Sequence, residues 1–325
     1  MLGMGSVVEV RSPVDVAQLR ARLGDADVVQ FQEPLAEAEY RSVAALLGDH
    51  PMVPLRVYGF DDDLATLRFL RWFPHVRRFS VAGLWHLTDL APLDQLSAGV
   101  EFLDIGEIRK PLDLAPVAQF RRLRRLRIVE HRRGLTELLH ANPRLRDLSL
   151  WRLPVDHILP VIALPHLQAL ALTLGSLTNS EWLAQLPTLR YLALRRVRKL
   201  NDLTPVTQLP ALQWLWLETL TVERLLDFGS NTMLTRAECL GLRHLGHPTA
   251  LQGLAAAPQL RELVVAAPYL PVDALVPFVD HPTLERAEIV LGSQQCDRDA
   301  DYLLRLPPPH PDTQFAAMHE LTRIL

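Results

Sequence analysis

The sequence predicts an α/β solenoid, with a curved parallel sheet on its concave face and short α- or 3₁₀-helices on its convex face. Apolar residues recur at positions 1, 4 and 6 of a unit that repeats every 22 or 23 residues in the middle of the chain. The clearest copies are Leu145/Leu148/Leu150, Leu167/Leu170/Leu172, Leu189/Leu192/Leu194 and Leu212/Leu215/Leu217. A unit of this length cannot bury its apolar side alone, so the copies must stack on one another.

Each unit combines two periodicities, as in LRYLALRRVRKLNDLTPVTQLP. The alternation around positions 3 to 7 is typical of a short strand, whereas the spacing of three in LTELLHANP, EWLAQLP and ALQGLAAAP is typical of a short helix. A proline commonly ends the return segment before the next unit. A strand, a helical return and a second strand that runs in the same direction give a parallel sheet with the helical segments on its other side.

The repeats divide the chain into three regions. Residues 1–51 are interpreted as an N-terminal cap with degenerate repeats, residues 52–291 as the solenoid, and residues 292–325 as a C-terminal cap with a proline-rich, amphipathic tail. The first residues of the regular units are Met52, Val76, Val100, Leu123, Leu145, Leu167, Leu189, Leu212, Leu234, Leu260 and Leu284. Two degenerate copies precede them, around Val8/Val10 and Val29/Phe31.

The segments LNDLTPVTQLPAL, LTDLAPLDQL and LDLAPVAQF resemble the leucine-rich repeat family, in particular the short repeats of bacterial internalin-like proteins. The resemblance covers about residues 52–291 and implies recognition of a protein or peptide. In that family an Asn at position 9 usually holds the turn, whereas this chain has aliphatic residues there: Leu84, Ile108, Leu153, Val197 and Leu220. We therefore expect packed aliphatic side chains and backbone or water hydrogen bonds to hold these turns.

Composition narrows the choice of partner. The formal charge of −3 gives no basic excess, so nucleic acid is not expected as a partner. The N-terminus has no signal-peptide pattern and no apolar run is long enough to span a membrane, so no membrane association is expected. Two cysteines are too few for a disulfide framework, which favours a cytoplasmic location, and the use of Arg over Lys suggests a bacterium with a GC-rich genome.

Side chains at positions 3, 5 and 7 are expected to project from the concave face, where aromatic and Arg residues are typical anchors of interfaces. Two groups stand out as candidate partner-binding residues. They are Arg56, Tyr58, Phe102, Asp104 and Arg127, and Trp151, Tyr191, Arg195, Trp214, Trp216 and Glu218. Between them lies a floor of small residues, Ala169, Ala171 and Ala193. The alternative is that the aromatic rings pack on one another across strands and only stiffen the sheet.

A second hypothesis is an enzyme, or an enzyme accessory, with a site in the concavity. Its residues would be Asp104, Glu107, Glu130 and His131 around Arg127, although we expect Asp104 and Arg127 simply to pair at the surface. No nucleophile, phosphate-loop or dinucleotide motif is present, so we expect no catalytic residues, no cofactor and no metal ion. A third hypothesis, an inhibitor or immunity protein that blocks a toxin or enzyme, is a special case of protein recognition.

The C-terminal segment LPPPHPDTQFAAMHELTRIL differs in composition from the repeats. Phe315, Met318 and Leu321 recur at a spacing of three, which predicts an amphipathic helix. This helix would either cover the last strand as a cap or dock onto a partner or a second copy of the chain, so self-association is a further possibility.

Overall fold

The computed structural model describes residues 6–154, 164–178, 180–200, 202–222, 227–242 and 246–308. The chain forms two compact units, the first ending at Arg146 and the second beginning at Asp147. In each unit the strands are parallel and follow one another in chain order, and short helices connect them. This arrangement confirms the predicted α/β architecture.

The described part of the first unit has six parallel strands. They are β1 (Ser6–Glu9), β2 (Ala26–Phe31), β3 (Leu55–Tyr58), β4 (Arg78–Ala82), β5 (Phe102–Ile105) and β6 (Arg125–Val129). The α-helices are α1 (Val16–Arg22), α2 (Glu37–Asp49) and α3 (Leu135–Ala141), and 3₁₀ segments occupy Leu23–Asp25, Leu64–Thr66, Arg68–Trp72, Ala91–Gln95 and Ala115–Gln119. The two degenerate N-terminal copies thus form strands that pair in parallel with the regular ones.

The described part of the second unit has seven parallel strands. They are β7 (Asp147–Trp151), β8 (Ala169–Thr173), β9 (Tyr191–Arg195), β10 (Trp214–Glu218), β11 (Arg236–Leu240), β12 (Glu262–Ala266) and β13 (Arg286–Val290). The connecting α-helices are α4 (Thr204–Thr207), α5 (Gln252–Ala255) and α6 (Gln294–Leu304), with 3₁₀ segments at Glu181–Gln185 and Val272–Phe278. Helical returns were predicted for LTELLHANP, EWLAQLP and ALQGLAAAP, and all three are confirmed as short α- or 3₁₀-helices.

The apolar residues at positions 1, 4 and 6 form the core of both units. In one typical repeat, Leu167 and Leu170 have no exposed surface and Leu172 is 1% exposed. Their partners in the next strand are equivalent residues, since Leu170 pairs with Leu192. One expected core position is wrong: Met52 is 53% exposed, because the chain forms a turn there and β3 begins only at Leu55.

Helix α6 follows the last described strand and packs beside it. Ser293 caps the helix by accepting a hydrogen bond from the Cys296 amide, and Asp297 accepts one from the Leu291 amide at 2.6 Å. The Ala287 amide of β13 donates to the Pro307 carbonyl at 2.9 Å, so the segment after α6 pairs with the outer strand. The amphipathic helix predicted around Phe315 lies outside the described residues.

The strand ends turn through the left-handed region of backbone space. Position 8 has a positive φ in eight repeats, at Gly59, Gly83, Glu130, Arg152, Leu174, Arg196, Thr219 and Gly241. In the second unit the amide at this position donates to the last carbonyl of the following strand, as from Arg196 to Glu218 at 2.7 Å and from Thr219 to Leu240 at 2.8 Å. These backbone bonds hold the turns where the resembled family uses a side-chain amide.

Buried side chains complete the turns. The aliphatic residues at position 9 are packed as expected: Leu84 has no exposed surface and Leu220 is 1% exposed. His131, 1% exposed, accepts a hydrogen bond at Nδ1 from the Leu112 amide and therefore donates from Nε2 to the Gly106 carbonyl. Elsewhere Asn231 donates to the Leu209 carbonyl and accepts from the Leu234 amide.

No described helix has the length and apolar character needed to cross a lipid bilayer.

We predict that Leu170→Ala lowers the free energy of unfolding by about 2 to 5 kcal/mol, because the shortened side chain leaves a cavity in a closed core. Met52→Ala is the matched control, since this side chain is largely exposed and its loss should change stability by less than about 0.5 kcal/mol. Urea denaturation followed by circular dichroism measures both. Equal destabilisation by the two changes would show that position 4 is not the core position.

We predict that Thr219→Gly stabilises the protein by roughly 0.5 to 1 kcal/mol. A left-handed conformation costs an L-residue about 1 to 2 kcal/mol, which exceeds the entropy that Gly loses on folding, about 0.5 to 1 kcal/mol. Thr173→Gly is the control, because Thr173 lies in the extended strand β8 and is 5% exposed. Thermal unfolding should show opposite shifts in Tm for the two variants, and a decrease of similar size in both would contradict the strain argument.

Candidate functional site

The surface on which a partner was expected is formed by positions 3, 5 and 7 of the repeats, which we call the open face of each unit. Parallel pairing places equivalent positions of neighbouring strands opposite each other, so their side chains form rows across the sheet. In the first unit Arg56 pairs with Ser80, Ser80 with Asp104, and Asp104 with Arg127. Each row therefore brings together residues that are more than twenty positions apart in sequence.

Position 5 of the first unit carries a polar side chain on every described strand. This polar row consists of Glu9, Gln30, Arg56, Ser80, Asp104 and Arg127. Gln30 donates from Nε2 to Glu9 at 2.7 Å, and the Tyr58 hydroxyl donates to the same carboxylate oxygen at 3.0 Å. The guanidinium of Arg56 lies 5.5 Å from the centre of the Tyr58 ring. Adjacent side chains thus hold one another in place at the β1–β3 end of the row.

Asp104 is the central residue at the β4–β6 end of the polar row. It has no exposed surface, accepts a hydrogen bond from the Ser80 hydroxyl at 2.7 Å, and lies 3.4 Å from a terminal guanidinium nitrogen (Nη1) of Arg127. Burial raises the pKa of Asp104, whereas the charge of Arg127 and the bond from Ser80 act to lower it. The two charged residues do pair, as expected, but the prediction of a surface pair is wrong, because Arg127 is only 9% exposed.

The carboxylates of the enzyme hypothesis are not assembled around Arg127 as an open site. Asp104 is buried and bonded within the polar row, and His131 uses both ring nitrogens in backbone hydrogen bonds. Burial lowers the pKa of His131, which favours the neutral ring that these two bonds require. Glu107 is exposed, and Glu130 is half-buried in the left-handed turn after β6. The observed roles of Asp104 and His131 are therefore structural.

In the second unit, aromatic side chains fill the hollow over the small residues. Tyr191 and Trp214 pack edge to face with ring centres 5.2 Å apart, in one cluster with Ala169, Ala171 and Ala193. Tyr191 is 5% exposed and Trp214 is 1% exposed. The expectation that they project into solvent is wrong, because their rings bury each other and the alanine floor, as the alternative interpretation held.

An ion network covers one side of this aromatic cluster. The Arg236 guanidinium lies 4.7 Å from the centre of the Trp214 ring, donates from Nε to Glu238 at 2.9 Å, and from Nη1 to Glu262 at 2.6 Å. Burial raises the pKa of Glu238, whereas the charge of Arg236 and its hydrogen bond to this carboxylate act to lower it. Arg236 therefore joins two carboxylates to the buried ring.

Trp216 is the aromatic residue of β10 that is only half-buried. It packs against the buried cluster, and the Arg195 guanidinium stacks 4.6 Å from the centre of its ring. Arg195 donates from Nε to Glu218 at 2.7 Å, and Arg196 lies 3.3 Å from the other carboxylate oxygen. Trp216, Arg195 and Glu218 form what we call the Trp216 array.

The candidate binding residues therefore fall into two sets, one buried and one half-buried. Phe102, Asp104, Arg127, Tyr191 and Trp214 are buried, with Phe102 7% exposed, which corrects the expectation that each presents its side chain to a partner. The half-buried ones are Arg56, Tyr58, Trp151, Arg195, Trp216 and Glu218. Trp151 donates from its ring nitrogen to the Ser149 hydroxyl at 3.1 Å. Each group lies within one unit, and among these candidates only the half-buried residues keep appreciable surface.

Sequence reasoning missed several residues of these networks. Glu9 and Gln30 lie in the two degenerate repeats, which lack the regular leucine spacing that identifies positions in the other units. Arg236, Glu238 and Glu262 occupy positions 3 and 5 of their repeats, but a charge pattern alone does not show that one guanidinium binds two carboxylates. The sequence does contain one relevant signal, because the parallel register of the repeats places Arg236 opposite Trp214.

The described residues contain no group of three or more His, Cys, Asp or Glu side chains placed to hold a metal ion. Cys239 is a buried free thiol, and burial raises its pKa to about 12. That thiol is therefore protonated at neutral pH and is not an activated nucleophile.

Comparisons with known proteins bear on the fold. No protein-family model matches the chain, and no curated protein matches its sequence. Among solved structures, internalin InlF of Listeria monocytogenes superposes with a TM-score of 0.51 and 15% identity, covering 88% of this chain and 79% of that one. The structure of the TLR13–ssRNA13 complex gives a TM-score of 0.52 and 16% identity, covering 87% of this chain and 43% of that one.

Identities this low carry information about architecture and not about ligands. In this chain the architecture consists of parallel strands in chain order, short helical returns and a leucine core at positions 1, 4 and 6. The chain has the leucine-rich repeat fold, similar to that of the internalins.

Proposed function

We propose that this chain is a non-catalytic recognition scaffold in the cytoplasm, which binds a protein or peptide on the open face of its leucine-rich repeats. The observation that carries the proposal is the Trp216 array, a half-buried Trp stacked on an Arg that is itself held by a carboxylate. Leucine-rich repeat proteins are often protein-binding scaffolds, which supports the class of function. The two free cysteines support the reducing compartment.

The Trp216 array has the properties of an interface anchor. Trp and Arg are the residues that most often dominate binding energy, because they combine a large contact area with a polar group. Arg195 is held both by the Trp216 ring and by Glu218 at 2.7 Å, so little side-chain entropy remains to be lost when a partner binds. The array is therefore organised before binding.

An apolar strip extends from the array along the same open face. Leu240, Val264 and Ala266 are half-exposed on β11 and β12, and Val290 of β13 is 46% exposed. Apolar surface next to a rigid aromatic anchor and surrounded by charged residues is the usual composition of a protein interface. A partner that covers Trp216 could bury this strip as well.

We predict that the two neighbouring tryptophans respond differently to truncation. Trp214→Ala should lower the free energy of unfolding by about 3 to 5 kcal/mol, because it empties a buried site. Trp216→Ala should cost less, roughly 1 to 2 kcal/mol, because part of the ring already faces water. Chemical denaturation of both variants measures the difference, and equal losses would show that Trp216 is as much a core residue as Trp214.

We predict that Trp216→Ala abolishes capture of the partner from a lysate of the source organism. The control is Tyr269→Ala, which removes an aromatic side chain that is 80% exposed and lies outside the strands. Affinity capture with mass spectrometry should retain the same protein on wild type and Tyr269→Ala but not on Trp216→Ala. A captured toxin or enzyme would identify the inhibitor case. No difference between the variants, with all three folded, would contradict the proposal.

A further inference from the structure

One row of the open face in the second unit is apolar across three neighbouring strands. Leu240 pairs with Ala266 and Ala266 with Val290, all at position 7 of their repeats. Leu240 and Ala266 are half-buried, and Val290 is 46% exposed. The row begins at the Trp216 array, because Glu218 is the cross-strand partner of Leu240. We call Leu240, Ala266 and Val290 the apolar row.

The spacing of the apolar row matches an α-helix that lies across the strands. Neighbouring strands are about 4.8 Å apart, so the three side chains span roughly 10 Å. Residues three or four apart on a helix rise by about 4.5 to 6 Å, so one face of a helix places an apolar side chain on each strand in turn. An extended segment repeats its side chains on one face only about every 7 Å and does not match.

The segment that follows Pro308 has the sequence of such a helix. Residues 309–325 lie outside the described residues, and their sequence carries Phe315, Met318 and Leu321 at a spacing of three. At about 3.6 residues per turn, these three side chains share one side of a helix. The charged and imidazole side chains that follow Phe315 fall on the other side, and they are His319, Glu320 and Arg323.

Pro308 places the start of this segment within reach of the apolar row. Arg286 of β13 donates from Nη1 to the Pro308 carbonyl at 3.1 Å. Arg286 and Val290 are four residues apart on the same strand, which is about 13 Å. The seven residues that lead from Pro308 to Phe315 can extend to roughly 23 Å. Phe315 can therefore reach Val290 of its own chain.

The outer edge of β13 is already paired by residues that precede this segment. The Ala287 amide donates to the Pro307 carbonyl at 2.9 Å, and α6 packs beside the strand. The part of the chain before residue 309 thus supplies a cap for the last described strand. The apolar side of the predicted helix is left to cover a different apolar surface.

We propose that the helix predicted within residues 309–325 docks across the apolar row of its own chain and covers the surface beside the Trp216 array. Because the segment starts at β13, successive apolar side chains of the helix meet successive strands. The flexible Met side chain then fills the space above the smallest residue of the row. The proposed pairs are Phe315 with Val290, Met318 with Ala266, and Leu321 with Leu240.

The consequence of this docking is regulatory, and it rests on the function proposed above. A protein or peptide that covers Trp216 and buries the neighbouring apolar surface must first displace the helix. The apparent affinity for that partner is then reduced in proportion to the fraction of chains in which the row is open. The helix therefore limits recognition by competing for the same surface.

Disulfide trapping in the full chain tests the docking without any partner. In a Cys296→Ser background the remaining native thiol, Cys239, is buried. Ala266→Cys/Met318→Cys should form a bond within one chain under mild oxidation, because the proposed contact brings the two residues within bonding range. Ala266→Cys/Glu320→Cys is the matched control, with a similar tether but the thiol on the other side of the helix. It should form at least about fivefold less of this bond.

A second measurement does not depend on the exact register of the helix. Met318→Glu/Leu321→Glu should undock the helix and increase the fluorescence of added anilinonaphthalene sulfonate, a dye that binds exposed apolar surface. Ala316→Glu/His319→Glu introduces the same number of carboxylates on the other side of the helix. This control should leave the dye fluorescence at the wild-type level.

Two results would overturn the proposal. Non-reducing electrophoresis and peptide mapping distinguish bonds within a chain from bonds between chains, and a bond formed only between chains would assign the row to the helix of a second copy. Equal bond formation by the two cysteine pairs, or dye binding that does not differ between the two charge variants, would show that the helix leaves the row open.

The capture experiment described for Trp216→Ala separates this inference from the proposed function. Met318→Glu/Leu321→Glu should retain at least about twofold more of the captured partner than wild type, because the row is then open in every chain. Equal retention would overturn the regulatory role. Failure of every variant to capture a protein would contradict the proposed function, whereas the disulfide and dye measurements would still decide whether the helix docks.

Discussion

The parallel register of the strands is the constraint on which the other features depend. Because the regular strands within each unit pair without offset, as Leu170 does with Leu192 and Leu192 with Leu215, their equivalent positions are neighbours. One leucine in the core therefore packs against the leucines before and after it, and its contribution depends on theirs. The same register forms the polar row and the aromatic cluster on the open face. A shift of one residue would exchange the core and the open face.

The core and the helical returns could be predicted from the sequence, whereas the exposure of the open face could not. Alternation along a strand determines the face of the sheet to which a side chain points. This rule correctly places Leu215 in the core and its neighbour Trp214 on the open face. Exposure depends on the size of the side chains in adjacent strands. Trp214 is buried because Ala171 and Ala193 leave a hollow and Tyr191 covers it. Trp216, two residues later, packs against that cluster and stacks on Arg195, and it stays half-buried.

The turns show a second limit of sequence reasoning. Three glycines at position 8, Gly59, Gly83 and Gly241, indicate a left-handed backbone there, since Gly adopts it without strain. Arg196 and Thr219 adopt the same conformation without that advantage. The amide that each then presents to the following strand end forms a hydrogen bond, which offsets the strain. The conformation is therefore imposed by the repeat geometry and not by local preference, so a single turn read alone does not reveal it.

The charged residues of the open face are of two kinds: those that stabilise the structure and those that keep surface for a ligand. Positions 3, 5 and 7 of β3–β6 hold four arginines and one buried carboxylate, whereas positions 3, 5 and 7 of β7–β13 hold five acidic residues and three arginines. Buried charges that are satisfied within the chain, such as Glu238 with Arg236, fix the geometry of their surroundings and have little left to give a ligand. Charges at the rim of a buried network keep part of their surface and are held in position by it. Half-buried arginines such as Arg195 are therefore the groups in which a fixed geometry and accessible surface coincide.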